Sequence, residues 1–234
     1  MGHGFLKMNA ITPNYFQLGS SSPTSKPLNE SIMNMLHLSC SPRGQESESY
    51  RLSQKIIGFL QGRTPALTVV HRNAAEGEMV HIDGNYAAVL GAAQEPSGFS
   101  VEGSISRSEQ LIRELEQADV VLISTPMHNL TVPSALKAWI DHVVRIRRTF
   151  DVTPQGKIGT LRDRPVYIAV SSGGVYAGER ARQPDFLTTY LKTILASIGL
   201  HDLRFFSVQG TAFGPDALAQ ARAEADLALR THFA

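Results

Sequence analysis

From about residue 32 to the C-terminus, short apolar runs alternate with stretches whose apolar residues recur every three or four positions. The runs at 32–38, 67–70, 119–124, 166–170 and 203–208 predict five strands. The run at 119–124 is nearly unbroken, the pattern of a strand buried on both faces. Leu52, Ile56, Ile57 and Leu60 share one face of a predicted helix over 49–60. Leu111, Ile112 and Leu115 mark another, capped by Ser106 or Ser108. Pro133 suits the first turn of a helix reaching about Arg147, with Leu136, Trp139, Ile140, Val143 and Val144 inward. Two more helices span 185–198, stopped by Gly199, and the stretch from Pro215 onward. The segment 73–103 is mixed and Gly-rich, with a helical stretch near 86–90.

Strands separated by helices imply parallel pairing with right-handed crossovers. The expectation is a single doubly wound α/β domain over 32–234 with a five-stranded parallel sheet. Residues 1–31 show neither period and carry Gly, Pro and a Ser20–Ser21–Ser22 run, the composition of a leader or flexible arm. An arm that packs on a partner subunit through Phe5, Leu6, Tyr15 and Phe16 is the alternative.

Composition narrows the function. With 42% hydrophobic residues, the chain can bury a sizeable core. Its 22 basic and 21 acidic residues leave a net charge of +1, which disfavours a global grip on nucleic acid or an anionic membrane. Cys40 is the only cysteine, so an internal disulfide and a multi-thiolate metal site are excluded, and a reducing, cytoplasmic setting is expected. No apolar run approaches the ~18 residues of a membrane span.

In doubly wound sheets, ligands bind at the carboxyl ends of the strands. Three loops lie there. The first, 39–49, sets Ser39, Ser41, Gly44, Ser47 and Ser49 between a strand and a helix start, offering hydroxyls and amides to a phosphate, with Arg43 nearby. It lacks both the Walker and the dinucleotide glycine patterns. An ordinary polar loop with Ser47 or Ser49 as helix cap is the alternative. The second, 125–133, is bracketed by Pro126 and Pro133 and is expected to run extended, presenting backbone groups and the soft side chain of Met127 to a flat heteroaromatic ligand. The third, 171–176, carries the Gly173–Gly174 pair, which permits close backbone approach.

The segment 41–49, the Pro126-Met127-x-Asn129 turn with Leu136-Lys137 downstream, and Ser171-x-Gly173-Gly174 together resemble the FMN-dependent NADH azoreductases, flavodoxin-like NAD(P)H:quinone oxidoreductases. The segment from Gly199 to Pro215 is similar to the family's last strand–helix unit. The resemblance implies a sheet order of 2-1-3-4-5 and FMN as bound cofactor. Ser41, Ser47, Glu48 and Ser49 would then hold the phosphate, the glutamate through its backbone amide. Met127, His128, Asn129 and Leu130 would line the ring, and Ser171, Ser172, Gly173 and Gly174 would close over its pyrimidine end. NADH or NADPH would be the donor and a quinone or azo compound the acceptor, in a ping-pong hydride transfer. Family members are homodimers, and Trp139, Val143 and Ile146 could supply part of such an interface or simply pack in the core.

The sequence departs from the family pattern around the substrate face. His128 stands where an aromatic is expected, Val152 where some members place tyrosine, and Tyr176 where others carry histidine. His128, Phe150 and Tyr176 are the expected acceptor-pocket residues. No side-chain nucleophile is called for; Asp141 and His142 are neighbours on a helix, point apart and read as surface groups. The run Arg145-Ile146-Arg147-Arg148 reads as a solvated helix end, or as a contact for an anionic group. An electron-transfer flavoprotein without reductase activity is the alternative function. A serine hydrolase is disfavoured by the lack of Gly-x-Ser-x-Gly.

Overall fold

The computed structural model describes residues 1–2, 32–75, 77, 79–92 and 102–234, so all but the first two residues of the expected arm lie outside the described residues. The strands are β1 (Met33–Ser39), β2 (Leu67–Asn73), β3 (Val120–Pro126), β4 (Phe150–Thr153), β5 (Gly156–Gly159), β6 (Val166–Ser172) and β7 (Leu203–Gln209). Five of them pair in parallel in the order β2-β1-β3-β6-β7, which is the expected 2-1-3-4-5 order with the β4–β5 hairpin set aside. The hairpin is antiparallel and was not foreseen. Its four-residue strands include the exposed Val152 and Ile158, and three of the ten positions at 150–159 are lysine or glycine, too little apolar pattern to read.

Six helices flank the sheet among the described residues: α1 (Glu48–Arg63), α2 (Gly84–Gly91), α3 (Gly103–Gln117), α4 (Ser134–Val143), α5 (Phe186–Ala196) and α6 (Pro215–Phe233). Alternate side chains of the central strands feed two cores. Leu36, Leu38, Val121 and Ile123 pack with α3, α4 and α5, while Met35, Val120 and Leu122 pack with α1 and α6. Helices on both faces explain why β3 and β6 read as continuous apolar runs.

Several local expectations are corrected. Helix α3 starts at Gly103 after Glu102, so neither Ser106 nor Ser108 is its cap. Ser108 is instead buried and donates to the His142 carbonyl at 2.6 Å. Helix α4 stops at Val143, short of Arg147. Trp139 and Val143 are fully buried within the chain, and Ile146 packs against the same cluster, so this face is core and not an outer surface. His142 is buried too; its Nε2 lies 2.9 Å from the Val80 carbonyl oxygen.

The basic run 145–148 is neither solvated nor poised for an anion. Arg147, at φ 65°, donates to the carbonyls of Val89 and Ala92 at 3.0 Å each and so satisfies the open end of α2. Arg148 grips Glu109 at 2.9 and 3.1 Å, and Arg145 reaches the same carboxylate at 3.3 Å. The arginines tie α2 and α3 to the turn after α4.

Candidate functional site

The first loop is built by a helix start. Ser47 caps α1, accepting from the Tyr50 amide at 3.2 Å and donating to the Gly44 carbonyl at 2.9 Å. A short 3-10 turn, Gly44–Glu46, precedes it, and Gly44 takes φ 51° to make that turn. With the Tyr50 amide taken by Ser47, the amides of Glu48 and Ser49 at the start of α1 have no carbonyl four residues back within the helix and are left as donors. Ser49 lies beneath, fully buried, with its hydroxyl 3.4 Å from that of Ser47.

The second loop does not run extended. His128 and Thr131 exchange two backbone hydrogen bonds of 3.0 Å, and Asn129 and Leu130 reverse the chain between them at φ 48° and 70°. Two consecutive left-handed residues that are not glycine mark a strained, tightly specified turn. Met127 stays with the sheet, its amide donating to the Ser171 carbonyl at 2.7 Å. The third loop is held by the turn after β7: the amides of Thr211, Ala212 and Gly210 donate to the carbonyls of Ser172, Gly173 and Gly174 at 3.1–3.2 Å.

These loops meet around one cleft of about 410 Å³, a size suited to a small organic ligand. Ser41, Ser47, Glu48, Met127, His128, Ser171, Ser172 and Gly173 all line it. Asn129, Leu130, Ser49 and Gly174 sit next to lining residues but do not line it themselves. Phe150 and Tyr176 are not on the cleft. Both are buried in the core beneath α4 and α5, and burial pushes the Tyr176 phenol up to about 12.

The cleft also draws on residues that no motif marked: Arg51, Leu218 and Arg222. Arg222, on α6, holds Glu48 at 2.7 and 2.9 Å, and Arg51 touches the same carboxylate at 3.1 Å. The Arg222 hydrogen bond, reinforced by the charges of Arg222, Arg51 and Arg43, keeps the Glu48 carboxyl below its ordinary range. Gln183 is another unmarked residue. Its amide donates to the Met127 sulfur at 3.2 Å and to the Ser172 hydroxyl at 3.3 Å, tying the second loop to the third.

One end of the cleft therefore offers hydroxyls, amides and guanidinium groups, and the other a thioether and close backbone. A Cβ added at Gly173 would meet only Ala212, at 3.5 Å, so the space beside this glycine is open. A phosphate joined to a flat ring fits this division of chemistry.

The family model of the flavodoxin-like fold matches residues 33–233. An FMN-dependent NADH:quinone oxidoreductase of Pseudomonas fluorescens is 46% identical over 196 residues, covering 84% of this chain and 93% of that protein. One from Burkholderia lata is 47% identical over 186 residues, covering 80% of this chain and 88% of that protein. Among solved structures, an FMN-dependent NADH-azoreductase from Bacillus anthracis in complex with FMN superposes with a TM-score of 0.70 at 22% identity, over 87% of this chain and 100% of that one. At that identity the likeness speaks for the fold alone. Matched along nearly its whole folded length by the family model and by these relatives, the chain belongs to the FMN-dependent NADH:quinone oxidoreductase family of the flavodoxin-like fold.

Proposed function

We propose that this chain binds FMN in the 410 Å³ cleft and acts as an NAD(P)H oxidoreductase that reduces quinones, azo compounds or both in a ping-pong cycle. The observation that carries this reading is the meeting of three sequence-distant loops around one cleft, phosphate-type donors at one end and Met127 at the other. When bound, FMN supplies two-electron hydride chemistry, and the protein positions it.

Ser41 and Ser47, with the first amides of α1, hold the phosphate end; their fixed geometry comes from the cap and the 3-10 turn. Met127, clamped by Gln183, gives a soft apolar wall. Ser171, Ser172 and Gly173 form the opposite rim, pinned by the 210–212 turn. His128 is exposed at the cleft edge, where the donor and then the acceptor enter. With Phe150 and Tyr176 buried in the core, acceptor choice rests on His128 and on groups that a second subunit brings; a homodimer is part of this reading. No helix among the described residues is long and apolar enough to cross a membrane. Cys40 is buried and unbridged, in keeping with a reducing, cytoplasmic setting.

The test is the purified protein itself. A visible flavin spectrum, and NADH or NADPH oxidation that depends on added menadione or an azo dye, is the expected result. A flavin spectrum without acceptor-dependent turnover would favour the electron-carrier alternative, which the near-zero net charge already disfavours, because such carriers steer partners by strong acidity. A colourless protein that takes up no FMN would overturn both.

A further inference from the structure

We propose that Arg222 makes the cleft selective for a phosphorylated flavin over the same flavin without its phosphate, by cancelling the charge of Glu48. The inference rests on the FMN reading above and adds a residue to it. Glu48 is the first residue of α1, where the helix field favours an anion. A carboxylate there competes with an incoming phosphate for the same field and repels it. Its side chain is only 12% exposed, so water screens that repulsion poorly.

Arg222 removes the conflict. It reaches across from α6 and grips both carboxylate oxygens through Nε and Nη2 at 2.9 and 2.7 Å, a forked geometry that lysine cannot reproduce. Among the described residues no hydrogen bond is recorded at its Nη1, which leaves donors for a second anion. The charges lining the cleft are Arg43, Arg51 and Arg222 against Glu46 and Glu48, an excess of one positive charge. Without Arg222 the excess is zero; with Glu48 neutralised as well, it returns to one. An effect carried by charge is therefore reversed by the second substitution, whereas an effect carried by packing is not.

The experiment compares Arg222→Gln with the double variant Arg222→Gln/Glu48→Gln in the full chain freed of flavin. FMN and riboflavin are titrated separately at low salt and followed by quenching of flavin fluorescence. Arg222→Gln is expected to weaken FMN binding about three- to tenfold and to leave riboflavin binding unchanged. The double variant is expected to recover most of the FMN affinity, and added salt to shrink the difference. Equal losses for both flavins, no loss for FMN, or a double variant no better than the single one overturns the assignment. If the unaltered chain binds FMN but the variants show none of these differences, only the role of Arg222 falls. If it binds neither flavin, the functional reading falls and takes this one with it.

Discussion

The Gln183 amide nitrogen lies 3.2 Å from the Met127 sulfur, joining a residue of the loop before α5 to the end of β3, 56 positions earlier. The same amide bonds the Ser172 hydroxyl, so one side chain fixes the spacing of two walls of the cleft. Met side chains are adaptable and hold a fixed shape only when something holds them. Replacing Gln183 with Ala should weaken FMN binding by about threefold to tenfold, with riboflavin equally affected, since the clamp acts at the ring end. Flavin titration checks this. Unchanged affinity for both flavins would reduce Gln183 to a spacer.

Gly173 separates ligand from fold. Its added Cβ would meet only Ala212 at an ordinary 3.5 Å, and its backbone is not left-handed. Gly173→Val is expected to leave thermal stability within about 1 kcal/mol of the parent while reducing FMN retention, because the branched side chain projects where the chain leaves space. A variant that keeps its flavin would move the third loop away from the ring.

The opposite pairing holds at Gly159. A Cβ there would lie 2.0 Å from the Gly199 amide nitrogen and 2.3 Å from the Ile198 carbonyl carbon, both backbone atoms that cannot swing aside. Gly199 itself takes φ 100° where the chain leaves α5. Gly159→Ala should cost about 3 kcal/mol in urea unfolding. Gly58→Ala, in the exposed interior of α1 with nothing within 4 Å, should gain about 0.5–1 kcal/mol. Equal shifts for the two would refute the close crossing.

His37 gives stability a pH dependence. It is buried between β1, α1 and β3, with Nε2 3.0 Å from the Ser53 hydroxyl and 3.2 Å from that of Ser124, and Nδ1 3.1 Å from His71 Nδ1. Burial first, and the neighbouring His71 second, lower its pKa from 6.5 to about 4. Between those values the unfolded chain binds the proton and the folded one does not. Stability from this group is complete above pH 6.5 and falls as pH drops towards 4. The full span is worth up to about 3 kcal/mol. His37→Gln should flatten the stability profile between pH 7 and 5, a window above the range where Glu48 and Glu109, held down by arginines, begin to protonate. A slope equal to the parent's, from urea unfolding at several pH values, would remove His37 as its source.

The sheet was legible because burial on two faces writes itself into the chain. Continuous apolar runs at β3 and β6, and helical spacing in α1 and α4, report their surroundings directly. The loops were legible for a related reason: hydroxyls, glycines and prolines at strand ends have conformational consequences of their own. The order of Ser41, Ser47, Met127, Ser171 and Gly173 along the chain was enough to expect a shared cleft.

The sequence by itself thus determined the alternation of strands and helices and most of the cleft's loop residues, since both follow from local periodicity and local backbone preference. Only the tertiary structure decided that His142 faces inward, that Phe150 and Tyr176 leave the cleft, and that Arg222 meets Glu48 across 174 positions. Those outcomes depend on how far one element crosses another and at what angle. A long side chain on an exposed helix carries no local mark of the partner it will find, because that partner is chosen by the packing of the whole sheet.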